Sequence, residues 1–415
     1  MIATEYCKNV FDGTHDSPKF LDNGYLLVTS KNIANRELDL TGANFISEED
    51  FNKINERSKV HQWDIFFSMI GTVGNVFLQT EKEVNYAIKN MGVFSCENED
   101  KAKWLYYYLQ SPYFKKLMNS LLSGAVQKFV PLGFLRSIDI PKYDDNKKAI
   151  VKFLSSLDDK IALNNRINAK LEQMAKRLYD YWFVQFDFPN ADGKPYKSTG
   201  GKMVWNEELK REIPERWEVK SINDISVSYR GVGYTADDEK SETDENVVLI
   251  LRGNNISNNH IVFDSNTVYL DKTFVSPDQE IHKFDLVMTM SSGSKEHVGK
   301  SAMFLYDSSH SYGAFCNKIT PNEDCQYFLE NYLHSEYFKK YIKVTCSGTG
   351  INNLTNEHFD KAKFAFPDDE VLKAFNEKMN AIYEKRGILE QENLKLTSMR
   401  DKLLPLLMNG QVVVE

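Results

Sequence analysis

The sequence predicts an α+β protein: two similar mixed domains in tandem, each followed by a long helix, with the two helices pairing as a coiled coil. Three observations carry this. Sequence stretches recur at a separation of about 224 residues, each recurrence ends in a long heptad pattern, and short β-rich runs alternate with turn residues ahead of each pattern.

The duplication comes first. His61-Gln-Trp-Asp64 returns as His282-Lys-Phe-Asp285, and Leu109-Gln-Ser-Pro-Tyr-Phe-Lys-Lys116 returns as Leu333-His-Ser-Glu-Tyr-Phe-Lys-Lys340, identical at six of eight positions. Ser123-Gly124 then matches Ser347-Gly348, and Asn32-Ile33 matches Asn255-Ile256. A period this long is a doubled domain and not a solenoid repeat. The two histidines of the recurring motif are expected to be structural, since neither has a metal-ligating neighbour in sequence.

The β-rich runs include Gly24–Val28, Val247–Leu251, Ala302–Tyr306 and a strand–turn–strand over Met69–Leu78. Apolar positions then step at +4 and +3 through Leu154, Leu157, Ile161, Asn168, Leu171 and Leu178 in the first half. In the second half they step through Met379, Ile382, Leu389, Asn393, Leu396 and Leu403. Asn164, Arg386 and Arg400 fall on the same stripes. Such seams need a partner helix to cover them, and an Asn in the seam can fix register. The boundaries read as domain 1–145, helix 146–185, exposed linker 186–212, domain 213–367 and helix 368–410, with each helix about 50–60 Å long.

Composition narrows the class. With 415 residues, 42% hydrophobic and 27% charged, the chain can bury two or three cores. It shows no apolar run that could cross a bilayer and no signal peptide, and five cysteines without a Cys-x-x-Cys pair point to free thiols and a cytoplasmic location. The formal charge of −8 argues against a generally basic nucleic-acid binder, but 146–185 carries +4. Its cations Lys147, Lys148, Lys152, Lys160, Arg166, Lys170, Lys176 and Arg177 are either a DNA-facing set or a solvated helix face.

Enzymatic motifs are sparse. Ser294–Ser301 approaches a phosphate-binding loop, but its glycine comes one residue early and a strand, not a helix, follows. No Asn-Pro-Pro-aromatic segment of an amino-methyltransferase is present, and no metal or cofactor site is expected. What remains is hydrogen-bonding chemistry at turns, repeated in both halves. The first half offers Thr14, His15, Lys19, Lys31, Asn32, Thr72, Ser123, Gln127 and Lys128. The second offers Arg230, Arg252, Asn254, Asn255, Ser292, Ser294, Lys295, Thr349 and Asn352. Arg and Lys read guanine edges, Asn and Gln read adenine edges, and Ser and Thr hold phosphates. These eighteen are the candidate DNA-binding residues, although exposed turns are polar for ordinary reasons too.

Asp12-Gly-Thr-His-Asp-Ser-Pro-Lys19, Leu178-Tyr-Asp-Tyr-Trp-Phe183, Ile213-Pro-Glu-Arg-Trp-Glu-Val219 and Met399–Gly410 give the chain a further likeness. Through them it resembles, over nearly its whole length, the DNA-specificity (S) subunits of type I restriction–modification enzymes. The resemblance implies two target-recognition domains, each reading one half of a split, asymmetric site on double-stranded DNA. It also implies antiparallel spacer helices that set the spacing. No catalysis is expected of the chain itself. Two methyltransferase (M) subunits are the implied partners, with restriction (R) subunits joined through them and no membrane contact. The first half departs from the pattern by lacking a counterpart of Ile213–Trp217. The competing readings are a duplicated coiled-coil scaffold and a nucleotide-dependent enzyme using Lys300 and Ser301.

Overall fold

A computed structural model describes the chain apart from residues 35, 123–128, 264–266, 295, 346–351, 413 and 415 and the side chain of Asn352. It divides into two compact units, Met1–Leu163 with Asn393–Glu415, and Asn164–Glu392.

Both units are built on one topology. In the first, a four-stranded antiparallel sheet has the order Asn9–Asp12, Met91–Ser95, Asp64–Ser68, Val76–Leu78. A three-stranded sheet has the order Asn44–Ile46, Tyr25–Val28, Tyr86–Ile88, its last pair parallel. In the second unit the same orders recur as Ser226–Arg230, Cys316–Pro321, Leu286–Thr289, Ser301–Met303, and as Val268–Asp271, Val247–Leu251, Ser311–Tyr312. The duplication read from a few recurring residues is therefore a duplication of strand order and of strand sense.

The recurring His-x-x-Asp is explained differently from the expectation. Its buried member is the aspartate: Asp64 accepts the His61 backbone N–H at 2.8 Å, and Asp285 accepts that of His282 at 2.7 Å. The two imidazoles are exposed. Each aspartate closes the turn that launches the central strand. The hairpin expected over Met69–Leu78 begins earlier, at Asp64–Ser68, a strand buried on both faces whose unbroken apolar run hid its period. Segment 186–212 is not simply an exposed linker. Phe186 and Phe188 are buried against Trp217, and Met203–Asn206 pairs with Arg211–Pro214 as a hairpin. The Gly, Pro and Asp of the segment suggested a loop, while two phenylalanines tie it to the core.

The long helices run Asp145–Tyr179, extended by a π-helical turn at Asp180–Val184, and Asp369–Met408. Within the second unit Asn164 meets Glu392, Glu172 meets Arg386, and Phe183 packs on Phe375. Residue numbers rise on one helix as they fall on the other, so the pairing there is antiparallel. Within the first unit Asp158 meets Arg400, and Leu154 shares a core with Leu404 and Leu407. Leu154, Leu157, Asn168, Met379 and Leu389 are buried, whereas Ile161, Leu171, Leu178, Ile382, Asn393, Leu396 and Leu403 are half-buried. Tyr179, Tyr383 and Leu404, one residue beyond the strict heptad, are buried more deeply than Leu178, Ile382 and Leu403. An α-helix drifts against a 3.5-residue repeat, which moves the stripe by one position.

Charge sits inside this packing. Arg386 lies between Glu172 (3.1 Å) and Glu330 (3.5 Å), and the Tyr383 hydroxyl donates to Glu330. Glu172 also contacts His260 at 3.2 Å, a hydrogen bond that raises the imidazole pKa, while burial pushes Glu390 up to about 7. In the first unit Arg400 reaches Asp158 at 2.7 Å and Asp401 at 3.0 Å, and Tyr107 donates to Asp158 at 2.7 Å.

The units differ at the strand that opens the second. Glu218–Ser221 pairs with Lys363–Phe366 over four residues in the second unit, whereas at the corresponding place the described residues of the first form the bridge Ile2↔Asp139. Cys7, Cys96, Cys316 and Cys325 are buried free thiols, and Cys346 lies outside the described residues. Among the described residues no helix is long and apolar enough to cross a membrane.

Candidate functional site

In each unit a continuous series of contacts, most of them between backbone groups, brings three of the polar stretches together. In the first unit the strand ending at Asp12 passes into Gly13, whose N–H donates to Met91 O, and Thr14 donates to Ile88 O at 3.0 Å. A Cβ on Gly13 would stand 2.6 Å from the Ile88 carbonyl oxygen, so only glycine allows this approach. Lys89 N–H donates to Val28 O, and the chain beyond Val28 forms the Ser30–Asn32 turn. The Asn75 amide donates to Ile33 O at 2.8 Å, drawing that turn to the loop carrying Thr72. Finally Ile70 bridges Phe129, beside 123–128.

The second unit repeats the series with different side chains. Gly231 donates to Cys316 O and Val232 to Tyr312 O, and a Cβ on Gly231 would stand 2.3 Å from Gly313 O. Gly313 donates to Leu251 O, after which Gly253–Asn255 turns against Thr289. Ser291–Ser292 then pairs with Asn352–Asn353. Thr14, His15, Lys31, Asn32 and Thr72 therefore share one rim, and Arg230, Arg252, Asn254, Asn255, Ser292 and Ser294 share the other. Lys19 is exposed, five residues beyond Thr14 in the chain. Ser123, Gln127, Lys128, Lys295, Thr349 and the side chain of Asn352 lie outside the described residues.

Two of the candidates are reassigned. Asn32 accepts the Thr29 backbone N–H and donates to Asp39 O, while Asn255 accepts the Arg252 N–H and donates to Val262 O, all at 2.9 Å. Both are buried. Their amides close their own turns and are not presented to a ligand, so what the two halves share at this position is a loop clamp. Sequence reasoning saw an Asn-Ile repeat; the buried isoleucine beside each Asn was the available sign of a structural task.

The remaining side chains set different chemistry on equivalent frames. Asp12 and Arg230 each precede the close-packed glycine, so one position carries an acid in one half and a base in the other. Asp12 accepts from Arg57 at 2.6 Å and stands 2.8 Å from His15 Nε2, whose Nδ1 is 2.8 Å from Asn90. Arg252 stands beside Tyr234, where burial raises the phenol pKa and the guanidinium works against that rise. Phe315, overlooked in the sequence because it is neither polar nor part of a repeat, is 69% exposed, and its carbonyl accepts from Met290 and Ser291. It is an extra residue of the second unit, where Lys89-Asn90 alone spans the gap in the first. On the first long helix Lys147 and Lys176 pair with Asp144 and Asp180, while Lys148, Lys152, Arg166, Lys170 and Arg177 lie on the exposed face and Lys160 is half-buried. Ser301, the serine of the phosphate-loop reading, is buried in a strand and pairs with His334, so it cannot hold a nucleotide phosphate there.

Comparison with known proteins follows the same division. A family described as "Type I restriction modification DNA specificity domain" matches residues 14–173 and again 214–398. The type I restriction enzyme EcoKI specificity subunit of Escherichia coli is 30% identical over 173 residues, 41% of this chain and 37% of that protein. The StySPI specificity subunit of Salmonella potsdam is 28% identical over 205 residues, 48% of this chain and 44% of that protein. Each match thus spans less than half of the relative's own length. The HindI specificity subunit of Haemophilus influenzae is 25% identical over 412 residues, covering 86% of this chain and 88% of its own. Among solved structures, the S subunit of a type I restriction–modification system from M. genitalium superposes with a TM-score of 0.48 at 15% identity, over 96% of this chain and 93% of that one.

Proposed function

The chain belongs to the type I restriction–modification DNA specificity family, and on that premise we propose that it is the non-catalytic, sequence-reading subunit of such a complex. Residues 1–145 and 213–367 are the two target-recognition domains, each reading one half of a split site on double-stranded DNA. Residues 146–185 and 368–410 are the spacer helices. Equivalent surfaces of the two halves dock two methyltransferase subunits, through which restriction subunits join.

One observation carries the reading: each unit gathers three polar stretches on one rim, with three of the backbone hydrogen bonds that hold them repeated from unit to unit, yet the side chains differ. A shared frame with unlike groups suits two unlike half-sites, since backbone contacts position a protein on DNA and side chains specify the bases. Asp12, with Arg57 and His15, gives the first rim both acceptors and donors. Arg230 and Arg252 give the second rim cationic forks suited to guanine, and Phe315 adds an apolar group suited to a thymine methyl.

Arg230→Ala and Arg252→Ala are each expected to cost about 1–3 kcal/mol in binding, roughly 5- to 150-fold. The loss should be confined to DNA carrying the second domain's half-site. Titration of duplexes altered in one half at a time, with the methyltransferase complex at fixed salt, reads this directly. Equal loss on unrelated DNA would assign the arginines to phosphates, and wild-type binding that ignores sequence would favour the scaffold reading.

A further inference from the structure

The most exact internal repeat, Leu109–Lys116 against Leu333–Lys340, is not used by either rim. Packing accounts for only part of it. Leu109, Phe114, Leu333 and Phe338 are buried, and the hydroxyls of Ser111 and Ser335 each accept a backbone N–H, from Phe114 and Phe338 respectively, at 3.2 Å. The other three identities are on the surface. Tyr113 is 62% exposed and Tyr337 58%, and Lys115, Lys116, Lys339 and Lys340 are exposed. Each tyrosine is held in the same way, Tyr113 at 6.3 Å from Tyr108 and Tyr337 at 6.2 Å from Tyr332.

Two domains that differ on their rims thus share one identical exposed trio, with its tyrosine held against an equivalent neighbour. Burial cannot explain side chains that face solvent, so a shared ligand is the physical reason left. Two half-sites of different sequence share the sugar–phosphate backbone. Adjacent ammonium groups and a phenol hydroxyl, with the tyrosine ring the one exposed apolar surface common to both copies of the repeat, suit phosphate oxygens better than an apolar partner face. Charge favours the same ligand, because both domains are otherwise net acidic. So does position. The helices carrying the trio, Pro112–Leu122 and Glu336–Thr345, lead directly into 123–128 and 346–351. Lys116 and Lys340 lie about 7–9 Å along the axis from those ends. A Cβ on Gly299, in the loop following Ser294, would come within 3.1 Å of Ile342, so the second helix packs beside its rim. Lys339 pairs with Glu336 at 3.1 Å, an exposed contact that a phosphate can replace; in the first half Pro112 stands in place of Glu336.

We propose that Tyr113-Lys115-Lys116 and Tyr337-Lys339-Lys340 are two equivalent, sequence-independent grips on DNA phosphates flanking the two half-sites. The proposal rests on the DNA-reading function above and adds to it which residues supply affinity without specificity. Its test is a complex with the methyltransferase in which all four lysines are changed to alanine, with a lysine-to-arginine version as control. Both are titrated across salt concentrations with a duplex carrying the methylated site and a scrambled duplex of equal length. The alanine variant should bind both duplexes more weakly by the same factor. Its salt slope should be shallower by about 0.9 for each phosphate it no longer neutralises, and the arginine version should restore the slope. An unchanged slope, a loss confined to the site-bearing duplex, or failure of the alanine variant to assemble with the methyltransferase would each overturn it. Wild-type protein that does not distinguish the duplexes would refute the sequence-reading function instead, and the scrambled duplex alone would still test the grip.

Discussion

Arg386→Ala is expected to destabilise the second unit by about 3–5 kcal/mol, because it removes the only cation facing Glu330 among the described residues and leaves a buried carboxylate unpaired. In a unit of this size such a loss lowers the melting temperature by about 6–20 °C. The size of the effect comes from desolvation, not from attraction. Glu330 and Arg386 are each only a few per cent exposed, so water cannot take the place of a lost partner. Arg386→Met combined with Glu330→Gln removes both charges and should recover much of the loss, since replacing a whole buried pair costs less than breaking it. Thermal and denaturant melts of the three proteins distinguish these outcomes. A single variant that melts like the wild type would mean that water reaches Glu330 and that the helix–domain packing around it is loose.

Exchange of residues 1–145 for the corresponding region of another family member is expected to change one half of the recognised site and leave the other half and the spacing intact. The physical ground is that each rim is assembled within one unit from contacts that partly repeat in the other, from Gly13 through Asn75 in one and from Gly231 through Ser291 in the other. Each specific half contributes several base contacts at about 1–3 kcal/mol apiece, so a hybrid should prefer the new half-site by several orders of magnitude. Sequencing of the bases bound or methylated by the hybrid reads the result. Changes on both sides of the site would contradict a modular reading.

How far the sequence disclosed this arrangement depends on the range of the interaction concerned. The duplication and the two helices were legible because periodicity and repetition are local signals; Leu154, Leu157, Met379 and Leu389 are buried where the stepping pattern puts them. The stripe was off by one at Tyr179, Tyr383 and Leu404, where helix drift, not the heptad, sets the buried face. Long-range partners were hidden. Nothing near Arg386 in sequence reveals Glu330 or Glu172, and nothing near Phe186 reveals Trp217. At the rims, turn composition picked out stretches that the fold brings together but misjudged individual residues. Asn32 and Asn255 have the chemistry of adenine readers, yet burial commits them to their own loops. Phe315 was missed because an isolated phenylalanine in a sequence ordinarily marks a core position, and only its backbone hydrogen bonds hold it out at the rim.

The central claim is that this chain supplies sequence specificity to a methylating complex. Its most direct test is a genome-wide map of methylated adenines in the source strain, with and without the gene. The account predicts loss of a single motif on deletion, split and asymmetric, with all other methylation unchanged. A map that stays the same in an otherwise active strain would contradict it.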